Sequence, residues 1–217
     1  MYVCVSACPH CNIELVFLLD SSTKTNDAWK LILNFVSDVV RQYDIRQNCV
    51  RVAVIRYSNT ADAPIRLNSY SDVNRLVQAI GQIQLLGGTA SNLNTALDLL
   101  RSQVVRPNAV RIVIIITDNL QRNPVITNAA NNAKSQGIIL VGVAITGPGR
   151  VDVNYFNMSI VSDFRLVVVN TYGDLTSGAR NTISRDLACI EYTTTPAPSI
   201  CEYMMPVTFY RAMLCIK

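Results

Sequence analysis

Apolar residues in this chain come in unbroken runs. Ile13-Glu14-Leu15-Val16-Phe17-Leu18-Leu19 is apolar but for one carboxylate and stops at Asp20. Ile112 to Thr117 stops at Asp118 in the same way, and Ile138 to Ile145 makes a third run. Such runs, without polar alternation, are what strands covered on both faces require. Arg51 to Tyr57 is rich in β-branched residues and reads as another strand, and Phe164 to Val169 as a shorter one. Ile65 to Leu67, behind Pro64, reads as an edge strand in a hairpin with Arg51 to Tyr57.

Between the runs the spacing changes to steps of three and four. Trp29, Ile32, Val36, Val39 and Tyr43 form the stripe of an amphipathic helix, with Asn26 as the expected N-cap. Trp29 lies on that stripe and is expected in the core. Val73 to Ile80 predicts a short helix, and Leu93, Ala96, Leu97 and Leu100 another. Ala129, Ala130 and Ala133 lead to Gly137, a suitable C′ residue, and Leu175, Ala179, Ile183 and Leu187 mark the last helix. Buried strands alternating with helices predict the α/β class, with a doubly wound, mostly parallel sheet of six strands flanked by helices.

Composition removes several function classes. With 50% hydrophobic and 16% charged residues, the 217-residue chain is not disordered. No apolar run approaches the roughly 18 residues of a membrane span, so no membrane insertion is expected. The net charge of +4 is mild and its Lys and Arg are scattered, so a nucleic-acid partner gains no support.

The seven cysteines are informative by position. Cys4, Cys8 and Cys11 crowd the start, Cys189, Cys201 and Cys215 crowd the end, and only Cys49 lies between. Cysteines at both borders of a cysteine-free middle suggest an extracellular module tied off where its ends meet. Cys8-Pro-His-Cys11 has C-x-x-C spacing, but no second such pair exists and His10 is the only histidine, so a closed zinc site is not expected. Cys49, before the second strand, reads as a covered thiol, with pairing to Cys4 as the alternative. Met1-Tyr2-Val3-Cys4 has neither the basic nor the apolar region of a secretory leader, so the sequence is expected to begin inside a longer protein or after a removed precursor segment. The expected organisation is a Cys-rich segment at 1–12, the α/β domain at 13–190, a Thr/Pro linker at 191–200 and a Cys-containing tail or further module at 201–217.

In open α/β sheets, ligands bind beyond the carboxyl ends of the strands. Asp20 and Asp118 stand at two such ends, followed by Ser21-Ser22-Thr23 and Asn119, while Gly87-Gly88-Thr89-Ala90-Ser91 leads into a helix. Two carboxylates with Ser and Thr hydroxyls form an all-oxygen set suited to a hard cation such as Mg²⁺. The plainer reading is that both aspartates only cap loops and helix starts.

From Ile13 to Cys189 the chain resembles the von Willebrand factor type A domains. The resemblance rests on LLDSS at the first strand, RVAVIRYSN at the second, GGTASNLNTALDLL at the third loop and IVIIITDN at the fourth strand, continued by SQGIILVGVAI. Cysteines before the first strand and after the last helix resemble the matrix branch of that family, which includes collagen VI, matrilins and von Willebrand factor. The resemblance implies a metal-ion-dependent adhesion site of pattern D-x-S-x-S with a further Thr and Asp. Asp20, Ser22, Thr89 and Asp118 match it. Lys24 stands where the family has the second Ser, and an ammonium has no lone pair to give a cation. The implied site is therefore degenerate: no cofactor is expected, and Mg²⁺ is the ion the site would take if it took one. With the first strand central, a Cys11–Cys189 disulfide is expected at the domain ends, Cys8–Cys189 being the other register, and Cys201–Cys215 would close the tail.

An enzyme is not expected. The phosphohydrolases that place an Asp nucleophile after the first strand need a second Asp two residues on, where this chain has Ser22, and a lone His10 cannot complete a Ser-His-Asp set. The expected function is a secreted adhesion or structural module of an extracellular matrix or filament, with matrix or collagen-like partners and self-association as a further option. The alternative is a metal-dependent, collagen-binding-like adhesion domain. Asn157-Met158-Ser159 is the only N-x-S/T sequon and an expected glycosylation site.

Overall fold

In a computed structural model of the chain, the described residues are 12–175 except 23, 104 and 164, together with 179, 182 and 183. Residues 1–11 of the segment expected at 1–12, the segments expected at 191–200 and 201–217, and with them the Cys11–Cys189 and Cys201–Cys215 pairings, lie outside these residues.

Each apolar run is a strand. β1 (Ile13–Asp20), β2 (Val50–Tyr57), β3 (Ala61–Ile65), β4 (Val110–Thr117), the two-residue β5 (Asn119–Leu120), β6 (Ile138–Ile145), the two-residue β7 (Arg150–Val151) and β8 (Leu166–Val169) follow in chain order. Six of them form one sheet in the order β3-β2-β1-β4-β6-β8, parallel except for β3, and β5 pairs with β7 separately. β1 is central, with β2 and β4 in parallel register on its two sides.

The helices cover both faces. α1 (Asn26–Val40) and α2 (Val73–Gly81) lie on one face, packing Trp29, Ile32, Val36, Leu76 and Ile80 against Leu15, Phe17 and Leu19. α3 (Leu93–Leu100) and α4 (Pro124–Ser135) lie on the other, packing Leu93, Leu97, Ile126 and Ala130 around Val16, Leu18 and Ile115. The Trp29 indole N–H also donates to the Ile83 carbonyl at 2.8 Å, so its one polar atom is satisfied inside the core.

Four local details differ from the sequence reading. The N-cap of α1 is Thr25, whose hydroxyl accepts from the Ala28 N–H, and Asn26 is the first helical residue. The edge strand begins at Ala61 and ends at Ile65, because its register with β2 runs from Tyr57 opposite Ala61. A three-residue helical turn, α5 (Val153–Tyr155), runs into a π-helical turn at Phe156–Ile160 that the apolar spacing does not announce. Cys49 is buried and disulfide-bonded rather than a free thiol, and its partner lies outside the described residues.

Glu14 is the one carboxylate inside the first apolar run, and it is fully buried. Arg51 of β2 and Arg106 hold it from two sides. The Arg51 guanidinium donates to Glu14 Oε1 at 2.5 Å and Oε2 at 3.0 Å, and Arg106 donates through its backbone N–H at 3.0 Å and its Nε at 2.9 Å. Arg106 also reaches the carbonyls of Ile13 and Cys49, both at 2.8 Å, and so ties the start of β1 to the start of β2. A buried ion loses its hydration and tolerates this only while every partner stays in place. Glu14→Gln leaves two guanidinium groups without a counter-charge and is expected to lower unfolding stability by about 3–5 kcal/mol in urea titration. A loss below about 1 kcal/mol would show that water reaches these groups and the triad contributes little.

Candidate functional site

The carboxyl ends of β1 and β4 lie side by side, and the loops that follow them meet there. Asp20 closes β1 with no exposed surface. Its Oδ1 accepts from the Ser22 N–H at 2.9 Å and the Ser22 hydroxyl at 2.7 Å. Its Oδ2 accepts from the hydroxyls of Ser91 at 2.8 Å and Thr117 at 2.6 Å. Four donors thus converge on one carboxylate, as a buried charge demands.

Asp118 follows β4 directly and is also buried. Oδ1 receives the Lys24 ammonium at 2.5 Å, and Oδ2 receives Arg150 at 2.5 Å and the Tyr172 hydroxyl at 2.7 Å. Lys24 also lies 3.4 Å from Asp20 Oδ1 and donates to the Ser22 carbonyl at 3.1 Å. Its side chain has no exposed surface. Of the two courses open to that long stem, inward or out to solvent, it takes the inward one. One ammonium bridges two aspartates, Arg150 supplies the second positive charge, and the four charges balance.

Local structure explains the arrangement. Lys24 immediately precedes the Thr25 cap, so the start of α1 fixes its backbone. The β5–β7 pairing sets Asn119 opposite Arg150 and so brings Arg150 beside the residue preceding Asn119, which is Asp118. Tyr172 begins a short 3-10 turn closed by reciprocal bonds between Thr171 and Asp174.

The third loop supplies Ser91 to this cluster, and Thr89 stands two residues before it. Thr89 is exposed, and its N–H donates to Asn59 Oδ1 at 2.9 Å. Gly88 makes the loop possible: its φ is +107°, and a Cβ there would lie 2.4 Å from the same Asn59 oxygen. Of the expected residues the structure brings together Asp20, Ser22, Lys24 and Asp118. It adds Ser91, Thr117, Arg150 and Tyr172, which sequence reading did not single out. Thr117 was the most accessible of these, because it stands next to Asp118 at a strand end.

The arrangement shapes the acid–base behaviour. Burial alone would raise the Asp118 pKa, but Lys24 outweighs it, helped by Tyr172 and Arg150, and holds the carboxyl below its ordinary value. Tyr172 is pushed up, first by burial and then by its bond to Asp118. Tyr57, fully buried next to Asp20, is pushed well up by burial and by that negative charge. Both phenols therefore stay protonated at neutral pH. Four donors engage Asp20 and three engage Asp118, and an ammonium stands between the two carboxylates. In this arrangement the donor set does not fit a divalent ion. Among the described residues no group of three or more His, Cys, Asp or Glu side chains could hold a metal, and no helix is long and apolar enough to cross a membrane.

Asn157 lies in the π-helical turn, half-buried, with its amide oxygen shielded and unpaired.

Comparison with known proteins agrees with this architecture. The sequence model of the von Willebrand factor type A domain matches residues 14–176. Matrilin-3 of Gallus gallus is 31% identical over 198 residues, covering 85% of this chain and 43% of that protein. The collagen alpha-1(XII) chain of Notophthalmus viridescens is 27% identical, covering 78% and 20%. Proximal thread matrix protein 1 from the mussel byssus, solved with a zinc-occupied metal-ion-dependent adhesion site, superposes with a TM-score of 0.72 at 19% identity, covering 83% of this chain and 49% of that one. The chain spans less than half the length of each of these relatives.

The Asp118 contacts have a pH signature. A carboxyl whose folded pKa is depressed adds stability above its unfolded pKa of about 3.9, and that stability is lost as pH falls through the folded value. Asp118→Asn is expected to be less stable than the parent at pH 7, with the difference holding to about pH 5 and shrinking below it toward pH 3 in denaturant titrations. An unchanged difference over that range would mean that the contacts stabilise Asp118 no better than water does.

Proposed function

Because this chain belongs to the von Willebrand factor type A family, we propose that it is a secreted interaction module of an extracellular matrix or filament assembly that works without a resident cation. The observation that carries this reading is the Lys24 ammonium at 2.5 Å from Asp118 and 3.4 Å from Asp20, inside the cleft where the family pattern has its ion. The ammonium does the neutralising work of a metal but offers no vacant coordination position. A ligand carboxylate therefore cannot be captured through a bridging ion, and partners bind through the surface. Matrilins and collagen chains among the relatives support matrix or collagen-like partners, with self-association as part of assembly. The single histidine and the hydrogen-bonded, ion-paired aspartates support a binding module over an enzyme.

The zinc-occupied site of the byssus protein supports a second reading, a metal-dependent adhesion domain in which Lys24 swings out and Asp20, Ser22, Thr89 and Asp118 hold Mg²⁺. Electrostatics oppose it. With Lys24 in place, a +1 charge about 4 Å from a +2 ion at an effective dielectric near 20 would cost on the order of 8 kcal/mol, so the ammonium must first give up both aspartates for solvent. The ion would also have to displace the donors now on both aspartates.

Two measurements check this reading. Calorimetry is expected to show no Mg²⁺ binding to the parent at millimolar metal and clear binding to Lys24→Ser, while parent binding to a collagen-coated surface persists in chelator. Tight binding to the parent, unchanged in Lys24→Ser, would overturn it. The proposed Cys11–Cys189 and Cys201–Cys215 bridges and a glycan at Asn157 are read by non-reducing peptide mapping of secreted protein. The longer bridge is expected to add roughly 4–5 kcal/mol in the chain-entropy model. A free thiol at Cys189 would rule it out.

A further inference from the structure

A cavity of about 170 Å³ lies between the sheet and the α3–α4 layer, toward the opposite end of β1 from Asp20. Its walls include Val16, Leu97, Leu100, Val113, Ala133 and Ile138. Protein interiors seldom leave a space much larger than one water molecule. A dry apolar cavity of about 150 Å³ is large enough to bind benzene. The space opens outward beside Arg101, Val105 and Gln136, all exposed, so a small molecule has a route in.

Besides Arg101 and Gln136 at the mouth, the lining carries Arg111, which donates to the Gln136 carbonyl, and two polar side chains deeper inside. Glu14 lines it, but its carboxylate is already engaged by Arg51 and Arg106. Gln103 lines it as well, is 8% exposed, and its Oε1 has no hydrogen-bond partner. A buried acceptor without a donor is uncommon and calls for an occupant that supplies one. An apolar inner wall of Val16, Leu97, Leu100, Val113, Ala133 and Ile138 with one unpaired acceptor, the charged groups being engaged or at the mouth, matches a particular chemistry: a small, uncharged, largely apolar molecule with a single hydroxyl or N–H. The geometry points to a binding site for a one-ring phenol-like ligand between α3 and α4, its ring against Leu97, Leu100 and Val113 and its hydroxyl donating to Gln103 Oε1.

This site is separate from the Asp20–Lys24–Asp118 cluster and does not depend on whether that cluster holds a cation. The probes are p-cresol and toluene, which differ by the hydroxyl. In ¹H–¹⁵N correlation spectra of the full chain, p-cresol is expected to shift amides of α3, α4 and the first half of β1. It is expected to bind about five-fold more tightly than toluene, the ratio for one net hydrogen bond of about 1 kcal/mol. Gln103→Leu is expected to bring the two affinities together, and Ala133→Leu, which fills the space, to abolish both. If Ala133→Leu does not fold, the cresol-to-toluene ratio in the parent and in Gln103→Leu decides alone. No shifts with either probe at saturation would overturn the inference, the cavity then being a hydration site. Equal affinities in the parent, or shifts clustered away from α3 and α4, would overturn it too.

Discussion

Two carboxylates stand out of water at the ends of adjacent strands, and everything around them answers the need for positive charge. The parallel register of β1 and β4 puts Asp20 and Asp118 close together whether or not that is electrostatically comfortable. Like charges in a poorly hydrated cleft repel, and one remedy is a cation from solution. This chain carries its own in Lys24, with Arg150 behind it. The loop after β1 supplies Ser22 and Lys24, the β5–β7 pairing brings Arg150, and the turn at Tyr172 adds its hydroxyl. The positive charges in the cleft are consequently covalently attached groups whose local concentration cannot be diluted.

The parts of this structure that the sequence announces are those governed by burial. β1, β4 and β6 are covered on both faces, so their residues are apolar without alternation, and their limits agree with the runs to within two residues. Asp20 and Asp118 are legible because a charge ends each run. Other features depend on partners far along the chain. Ser91 rather than Thr89 meets Asp20 because Asn59 anchors the loop two residues earlier, through Thr89 and Ala90, once Gly87 and Gly88 have turned it. Arg150 reaches Asp118 through a strand pair only two residues long, too short for any periodicity to show. Thr25 takes the cap from Asn26 because both residue types can cap and the start of the turn decides between them.

The arginines around Glu14 are only partly legible in the sequence. A glutamate inside an apolar run needs a cation when that run is a central strand, and Arg51 stands opposite it in the β1–β2 register. The pattern of apolar positions carries no information about Arg106, which arrives from the segment before β4 and serves Glu14 with both its backbone and its side chain.

Glu14 and Asp20 also solve a problem of alignment. In a strand with one wet face, a slip of one residue is penalised because it turns apolar side chains into water. β1 has no wet face. Leu15, Phe17 and Leu19 on one side and Val16 and Leu18 on the other are chemically interchangeable, so hydrophobicity alone barely distinguishes the correct alignment from its neighbour. The two carboxylates lie on the same side of the strand as Val16 and Leu18, near its two ends. A one-residue slip would drive both into the apolar layer beneath α1 and α2, away from every guanidinium and hydroxyl that receives them. The charges at the two ends of β1 thus act as a pair of index marks. Their contribution to the fold lies less in the energy of the correct sheet than in the cost of every sheet threaded one residue out of place.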